Sequence, residues 1–367
     1  MFNNSNGSFN FVKKYFTPVN VVVLLSLIYL ILLVIFFVLN ALYRGINMDS
    51  YAANGTFQLY NPLRRMVVGQ VIGRDFPFFH GVGVPILHFP IFRALGSGVF
   101  AAEVSKWLTS PLMFIAASFL FFWAYFRCLK KSTVATAIFS ILALRFIYII
   151  WPGNSLIGFR LTFPFIVAAF ILWRPKWQFN FKLFNRQLKV DFCYPFLYLL
   201  IGLSLACGTE QGAGVIVAYS VLIFIKYFKA RKMRLFIGEM FGLMVIIWLL
   251  FSVLTLGNAA SALKYALIDI PREQGWYFGT PPNKFLSLST LKQLVEPRMF
   301  DLILVISLGT IAILYGWKTK IFNKMNLSIL AFLSIYSLAV FAAALTGYWA
   351  PDVQLIPLQQ TFGLFLV

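Results

Sequence analysis

Apolar residues in this chain come in nearly unbroken blocks of about 17 to 25, the length a helix needs to cross a hydrocarbon core about 30 Å thick. The blocks lie at about 20–42, 108–126, 132–151, 156–173, 192–208, 213–228, 235–256, 300–316 and 326–346. A tenth starts near Leu355 and is still apolar at Val367, so the sequence is expected to be a piece of a longer chain. Lipid satisfies no backbone hydrogen bonds, and a core of this kind must be helical. The expected fold is therefore all-α: a polytopic transmembrane helix bundle of about ten spans, forming one membrane-embedded domain over residues 1–367. Composition excludes the ordinary soluble alternative, because 60% of residues are hydrophobic and only 11% charged, against roughly half and a quarter in soluble domains.

Lys13 and Lys14 precede a first apolar run that is too long for a signal-peptide core and lacks a small-residue cleavage site. It is expected to be a retained first helix. Short basic linkers tend to stay in the cytoplasm. Here they are Arg127, Lys130 and Lys131; Arg174, Lys176, Lys182, Arg186 and Lys189; Lys226, Lys229, Arg231, Lys232 and Arg234; and Lys318, Lys320 and Lys324. Simple alternation of the spans puts all of them, with Lys13 and Lys14, on one side. Asp49, Asp75, Glu103, Glu210, Asp269, Glu273, Glu296, Asp301 and Asp352 fall on the other. The N-terminus is thus expected in the cytoplasm, and compact loops suit a bacterial inner membrane. The net charge of +20 follows mostly from this bias and does not indicate nucleic-acid binding. Cys128, Cys193 and Cys207 are scattered, with no disulfide or zinc spacing.

Two outer loops are long, 43–107 and 257–299, and long loops among tight connections are usually functional. In the first, Asp49 follows helix one by a few residues. Residues 57–72 then place Phe57, Leu59, Tyr60, Leu63, Val67, Val68 and Val71 beside Arg64 and Arg65, as in a helix lying in the membrane interface. After Gly73 come Asp75, Phe76-Pro77, His80 and Pro85, a second short apolar segment at 86–95, and Gly96.

This order resembles the GT-C superfamily of membrane glycosyltransferases, in which an acid follows the first helix. An interfacial helix, a glycine, an aromatic-proline pair and a second interfacial helix then lead into the next span. The run Gly202-Leu203 to Gly208-Thr209-Glu210-Gln211-Gly212 is a second point of similarity, and places Glu210 and Gln211 toward the same outer cavity as Asp49. Many members carry paired acids in the first loop or a further Asp in the second outer loop. This chain has Asp49 alone and the neutral turn Trp151-Pro152-Gly153-Asn154-Ser155, which argues against a two-carboxylate metal site.

The resemblance implies an inverting transferase that moves a sugar from a polyprenyl-phosphate donor to a glycan, lipid or protein acceptor on the outer face, in cell-envelope glycan synthesis. Such chemistry needs a carboxylate to take the proton of the attacking hydroxyl and cations or a metal to stabilise the departing phosphate. Asp49 is the candidate base; the bland alternative is a helix-flanking surface acid. Arg64, Arg65, Arg145, Arg160 and Lys284 are candidates for the donor phosphate. Arg145 and Arg160 lie inside spans, where an arginine faces protein or a wet cavity. Structural pairing with an acid such as Glu210 explains them too, and lipid head groups explain Arg64 and Arg65 equally well.

Asp75, His80, Glu210, Gln211, Asp269, Arg272, Glu273, Trp276 and Tyr277 are candidate substrate contacts, although interfacial anchoring accounts for Trp276 and Tyr277 as well. His80 and His88 are the only histidines, and their spacing makes a poor metal signature. No metal residue is assigned, and the cofactor is left open between none and a divalent cation. Two rival classes fit a polytopic chain. A transporter or flippase of lipid-linked or anionic substrates would more typically show internal repeats and broken helices. A polysaccharide polymerase or ligase of O-antigen type would put its large loop late in the chain.

Overall fold

The computed structural model describes residues 18–47, 57–128, 155–173, 177–183, 186–270, 272, 307 and 324–346. Within them the chain is built of helices α1 (Pro18–Ile46), α2 (Phe57–Val67), α3 (Gly83–Ala94), α4 (Val99–Cys128) and α5 (Ser155–Trp173). A two-stranded hairpin follows, β1 (Gln178–Leu183) and β2 (Arg186–Asp191). Then come α6 (Cys193–Cys207), α7 (Thr209–Lys229), α8 (Met233–Leu254), the short α9 (Ala259–Lys264) running into a π-helical turn at Tyr265–Asp269, and α10 (Lys324–Thr346).

Four helical stretches are long and apolar enough to cross a membrane: Leu27–Ile46, Val99–Arg127, Thr209–Lys229 and Met233–Leu254. The protein is accordingly a helical membrane protein. The apolar blocks expected at 156–173, 192–208 and 326–346 are also helices, with shorter apolar stretches Phe159–Trp173, Cys193–Cys207 and Ala331–Val340. The blocks at 132–151 and 300–316 and the run after Leu355 lie outside the described residues.

Three departures from the sequence expectation have physical causes. The basic linker after α5 carries an antiparallel hairpin, pairing Gln178 with Asp191 through to Leu183 with Arg186, a small addition to an otherwise helical fold. Alternation of Phe179 and Phe181 with polar residues is a strand period hidden within a linker identified only by its charge. The helix expected from 108 begins at Val99, because Glu103 and Lys106, which break the apolar run, neutralise each other inside the protein at 3.1 Å. Finally, α2 does not reserve its apolar face for lipid. Leu59 and Leu63 are fully buried, and α2 packs on α3 and α4; Gly69, at φ +83°, stands just beyond it.

Packing proceeds as a chain of neighbours: α1 on α4, α4 on α5, α5 on α6, α6 on α7, and α7 on α10, with α8 against α6 and α7. The centre is aromatic. Phe121 packs edge-on to Phe165 at 5.4 Å between ring centres, and Phe114 meets the same ring at 5.8 Å.

A single residue, Gly208, joins α6 to α7, so the two helices fold back on each other at minimal separation. Gly212 makes that approach feasible, because a Cβ there would overlap the backbone of Leu205 and Ser204. Gly238, on α8, is the contrasting case, since a Cβ there would meet nothing within 4 Å. Alanine normally stabilises a helix over glycine by up to about 1 kcal/mol. Gly238→Ala should therefore be neutral to stabilising, whereas Gly212→Ala should lose about 1–3 kcal/mol through overpacking. Thermal unfolding of the two variants in the same detergent checks this, and equal midpoints would contradict the close α6–α7 contact.

Candidate functional site

Arg160 stands in the second turn of α5 and is buried to 92%, with 8% of its surface accessible. Its position depends on Gly208: a Cβ at that residue would come within 2.9 Å of the Arg160 Cβ, so the arginine stem lies directly across the α6–α7 break. Glu210 follows in the first turn of α7, where a carboxylate is favoured by the exposed N–H groups and dipole of the helix N-terminus. Its Oε2 accepts a hydrogen bond from Arg160 Nη1 at 3.2 Å, and the Glu210 side chain remains one-quarter accessible. One residue on, Gln211 Oε1 accepts a short hydrogen bond from the Tyr336 hydroxyl of α10.

The first long loop closes the cluster. Gly81, at φ +107°, packs where a Cβ would overlap the Ala206 carbonyl, and a Cβ on Gly83 would lie 2.6 Å from Cys207 Sγ. These two glycines let the backbone of 81–83 rest on the end of α6, which carries His80 in. His80 is buried against Phe79 (3.8 Å between ring centres), and its Nε2 lies 2.9 Å from Gln58 Nε2 of α2. Burial holds the imidazole well below its usual range, with the Arg160 charge adding to the effect, so it is neutral. With Nδ1 carrying the proton, Nε2 accepts from the Gln58 amide.

Four of the residues singled out in the sequence, His80, Arg160, Glu210 and Gln211, thus come together, joined by Gln58 and Tyr336. The two additions have no sequence signal, since one is a lone amide in an amphipathic stretch and the other a tyrosine in an apolar run. Among the described residues the Arg160 Nε and the Thr209 hydroxyl are buried without a hydrogen-bond partner. The guanidinium therefore retains a donor beyond the one given to Glu210, in a setting where an anion would be held by charge-assisted bonds.

The other candidates lie in different surroundings. Arg65 donates to Gln70 Oε1 at 2.6 Å and covers the Phe76 ring at 4.6 Å, while Arg64 is exposed. Asp75 accepts from the Val71 N–H at 2.7 Å and pairs with Arg74 at 2.8 Å; this arginine, then the backbone bond, holds its carboxyl down at about 2. Both residues shape the 69–76 turn. Asp269, at the end of the π-helical turn, pairs with Arg272 at 3.4 Å. Asp49, Arg145, Glu273, Trp276, Tyr277 and Lys284 lie outside the described residues.

A second polar nucleus anchors α1 and α3 to α4. Glu103 is held by Lys106 at 3.1 Å and by the Trp107 indole at 3.0 Å, and Arg44, at the end of α1, lies 4.9 Å over the Trp107 ring. His88, fully buried, bonds the Val84 carbonyl through Nδ1 at 2.7 Å and Ser110 through Nε2 at 2.9 Å. Both its nitrogens are satisfied, as in a packed histidine. Among the described residues no three His, Cys, Asp or Glu side chains come close enough to hold a metal ion.

Compared with family models, with curated proteins and with solved structures, the chain matches none.

Two outcomes follow. Glu210→Gln leaves the buried Arg160 charge without its carboxylate and should destabilise the protein by about 1–3 kcal/mol, below the usual cost of a broken buried pair because Glu210 is partly wet. In a double-mutant cycle, Arg160→Met with Glu210→Met should lose clearly less than the sum of the single changes; additivity would mean the pair is not coupled. Separately, burial depresses His80 and brings His88 down to about 4, against the opposing pull of the Val84 carbonyl. Unfolding frees each to bind a proton below its ordinary value of about 6.5. Stability should thus be fully present above about pH 7 and fall as pH drops from about 6.5 towards 4. Melting temperatures at pH 7.5 and 5 should show that slope, and it should flatten in His80→Gln and in His88→Gln.

Proposed function

We propose that this chain is an inverting membrane glycosyltransferase that takes a sugar from a polyprenyl-phosphate donor and passes it to an acceptor on the outer face of the membrane. The observation that carries the reading is Arg160, a buried guanidinium with an unengaged N–H, set beside a partly accessible carboxylate at one end of the helices. In this proposal the bundle has about ten spans, with the N-terminus cytoplasmic and the Arg160 end outward. The donor phosphate reaches the guanidinium from the partly accessible Glu210 side, and the planar fork suits phosphate better than an ammonium does.

Chemistry then needs one displacement. An acceptor hydroxyl attacks the anomeric carbon as the bond from that carbon to the phosphate oxygen breaks. The proton passes to Asp49, and the phosphate leaves with the bonding pair, its charge stabilised by Arg160. Neutral His80 and Gln58 offer hydrogen bonds without adding a charge that would compete for the phosphate. By sharing the guanidinium Glu210 keeps the cluster electrically balanced, and the incoming phosphate competes with it for that charge.

The test is sugar transfer in membranes containing the whole protein and supplied with polyprenyl-phosphate sugars. Asp49→Asn should lower transfer by about 10²–10⁴-fold at normal membrane levels, the usual worth of a general base. Arg160→Gln should lower it by about 10²–10³-fold. Full activity of Asp49→Asn with a dead Arg272→Ala would favour a polymerase. Transfer by neither wild type nor variant would favour a carrier.

A further inference from the structure

At the opposite end of the helices, between the start of α6, the end of α7 and the start of α8, lies a cavity of about 360 Å³. Tyr194, Tyr198, Tyr227, Arg234, Gly238 and Glu239 line it. Glu239 is one of only two acids that the sequence places among the basic linkers, and here it is thoroughly engaged. Its carboxylate accepts from the Tyr227 hydroxyl and from Tyr219 at 3.3 Å, and Lys226 Nζ lies 3.7 Å away. The same ammonium sits 4.4 Å from the centre of the Tyr227 ring and 5.8 Å from that of Tyr194. The aromatic cage therefore already holds a cation belonging to the chain itself, and a second ammonium would gain little there.

Arg234 is left over. It is exposed at the cavity, and among the described residues it enters no ion pair. Lys226, Lys229, Arg231, Lys232 and Arg234 crowd this connection, so the field at the cavity favours an anion. The mouth is open, because Gly238 is exposed and a Cβ there would meet nothing within 4 Å. The surface beside it is apolar: Phe228, Leu235, Ile237 and Phe241 are each at least half exposed. A phosphate ester carrying acyl chains satisfies both features, whereas a free phosphate ester satisfies only the first.

We propose that this cavity is a binding site for the head group of an anionic phospholipid of the phosphatidylglycerol type. The phosphodiester meets Arg234 and the exposed edge of Lys226, the glycerol hydroxyls meet the tyrosine hydroxyls, and the acyl chains run along α8. The proposal rests on α7 and α8 spanning the membrane, not on the glycosyltransferase reading.

Native mass spectrometry of the full chain, released from detergent with phosphatidylglycerol or phosphatidylcholine, tests it. Wild type should retain phosphatidylglycerol over phosphatidylcholine by about tenfold, because both lipids bring the phosphodiester but only phosphatidylcholine adds a choline cation, which would face Arg234 and Lys226. Arg234→Gln, and Gly238→Trp, which fills the mouth from an unobstructed position, should each remove that preference. Lys232→Gln, a charge of the same linker that does not line the cavity, should keep it. Equal losses in Arg234→Gln and Lys232→Gln would mean diffuse surface charge and overturn the site. Absence of any preference in wild type would do the same, and displacement of the lipid by free glycerol 3-phosphate would overturn the lipid as its source.

Discussion

A guanidinium cannot be buried among helices without partners, and much of the order at one end of this protein follows from how Arg160 is accommodated. Its charge requires Glu210. Its stem requires a glycine at 208, which also makes the link between α6 and α7 one residue long. That short link forces the two helices together and so requires Gly212. Finally, the region around the guanidinium tolerates no second cation, which is one reason, after burial itself, that His80 is neutral. One charge thus selects a carboxylate, two glycines and a protonation state.

Residues 81–83 of the first loop rest against this arrangement. Without Gly81 and Gly83 its backbone could not lie on the end of α6, and His80 would not reach the arginine. Other described residues of the loop are held by contacts of their own: Leu59 and Leu63 in the protein core, Arg65 on Phe76, and Asp75 closing the turn that precedes 81–83. Polar groups with one clear structural task, such as Asp75, are poorly placed for a second. Arg160, with a donor unengaged, is in the opposite position.

How legible this was in the sequence differs by feature. Among the described residues apolar length located helices well, because membrane thickness is a hard constraint on runs such as 213–228 and 235–256. It misjudged the start of α4, because charge was counted residue by residue and the Glu103–Lys106 pair cancels inside the fold. It also missed the hairpin at 178–191, whose alternation is weaker than the basic charge around it. Arg160, Glu210 and His80 stood out because ionisable groups are scarce in such a chain. Gln58 and Tyr336 could not stand out, since amides and tyrosines are common and only the meeting of α2, α7 and α10 with the cluster gives these two their place.

The two polar sites share one helix, and its geometry relates them. Glu210 and Gln211 open α7, whereas Lys226 and Tyr227 close it. At about 1.5 Å of rise per residue they stand about 24 Å apart, close to the hydrocarbon thickness of a bilayer. A helix that carries an arginine–carboxylate pair at one end and a lysine-filled tyrosine cage at the other presents different chemistry at its two ends. The acids follow the same logic. Glu210 keeps one-quarter of its side chain accessible beside Arg160. Glu239 is saturated by two tyrosines and a lysine, so its role is to hold walls in place. Of the two carboxylates, the one at the Arg160 end stays partly open to solvent, and the other is tied into the walls of its cavity.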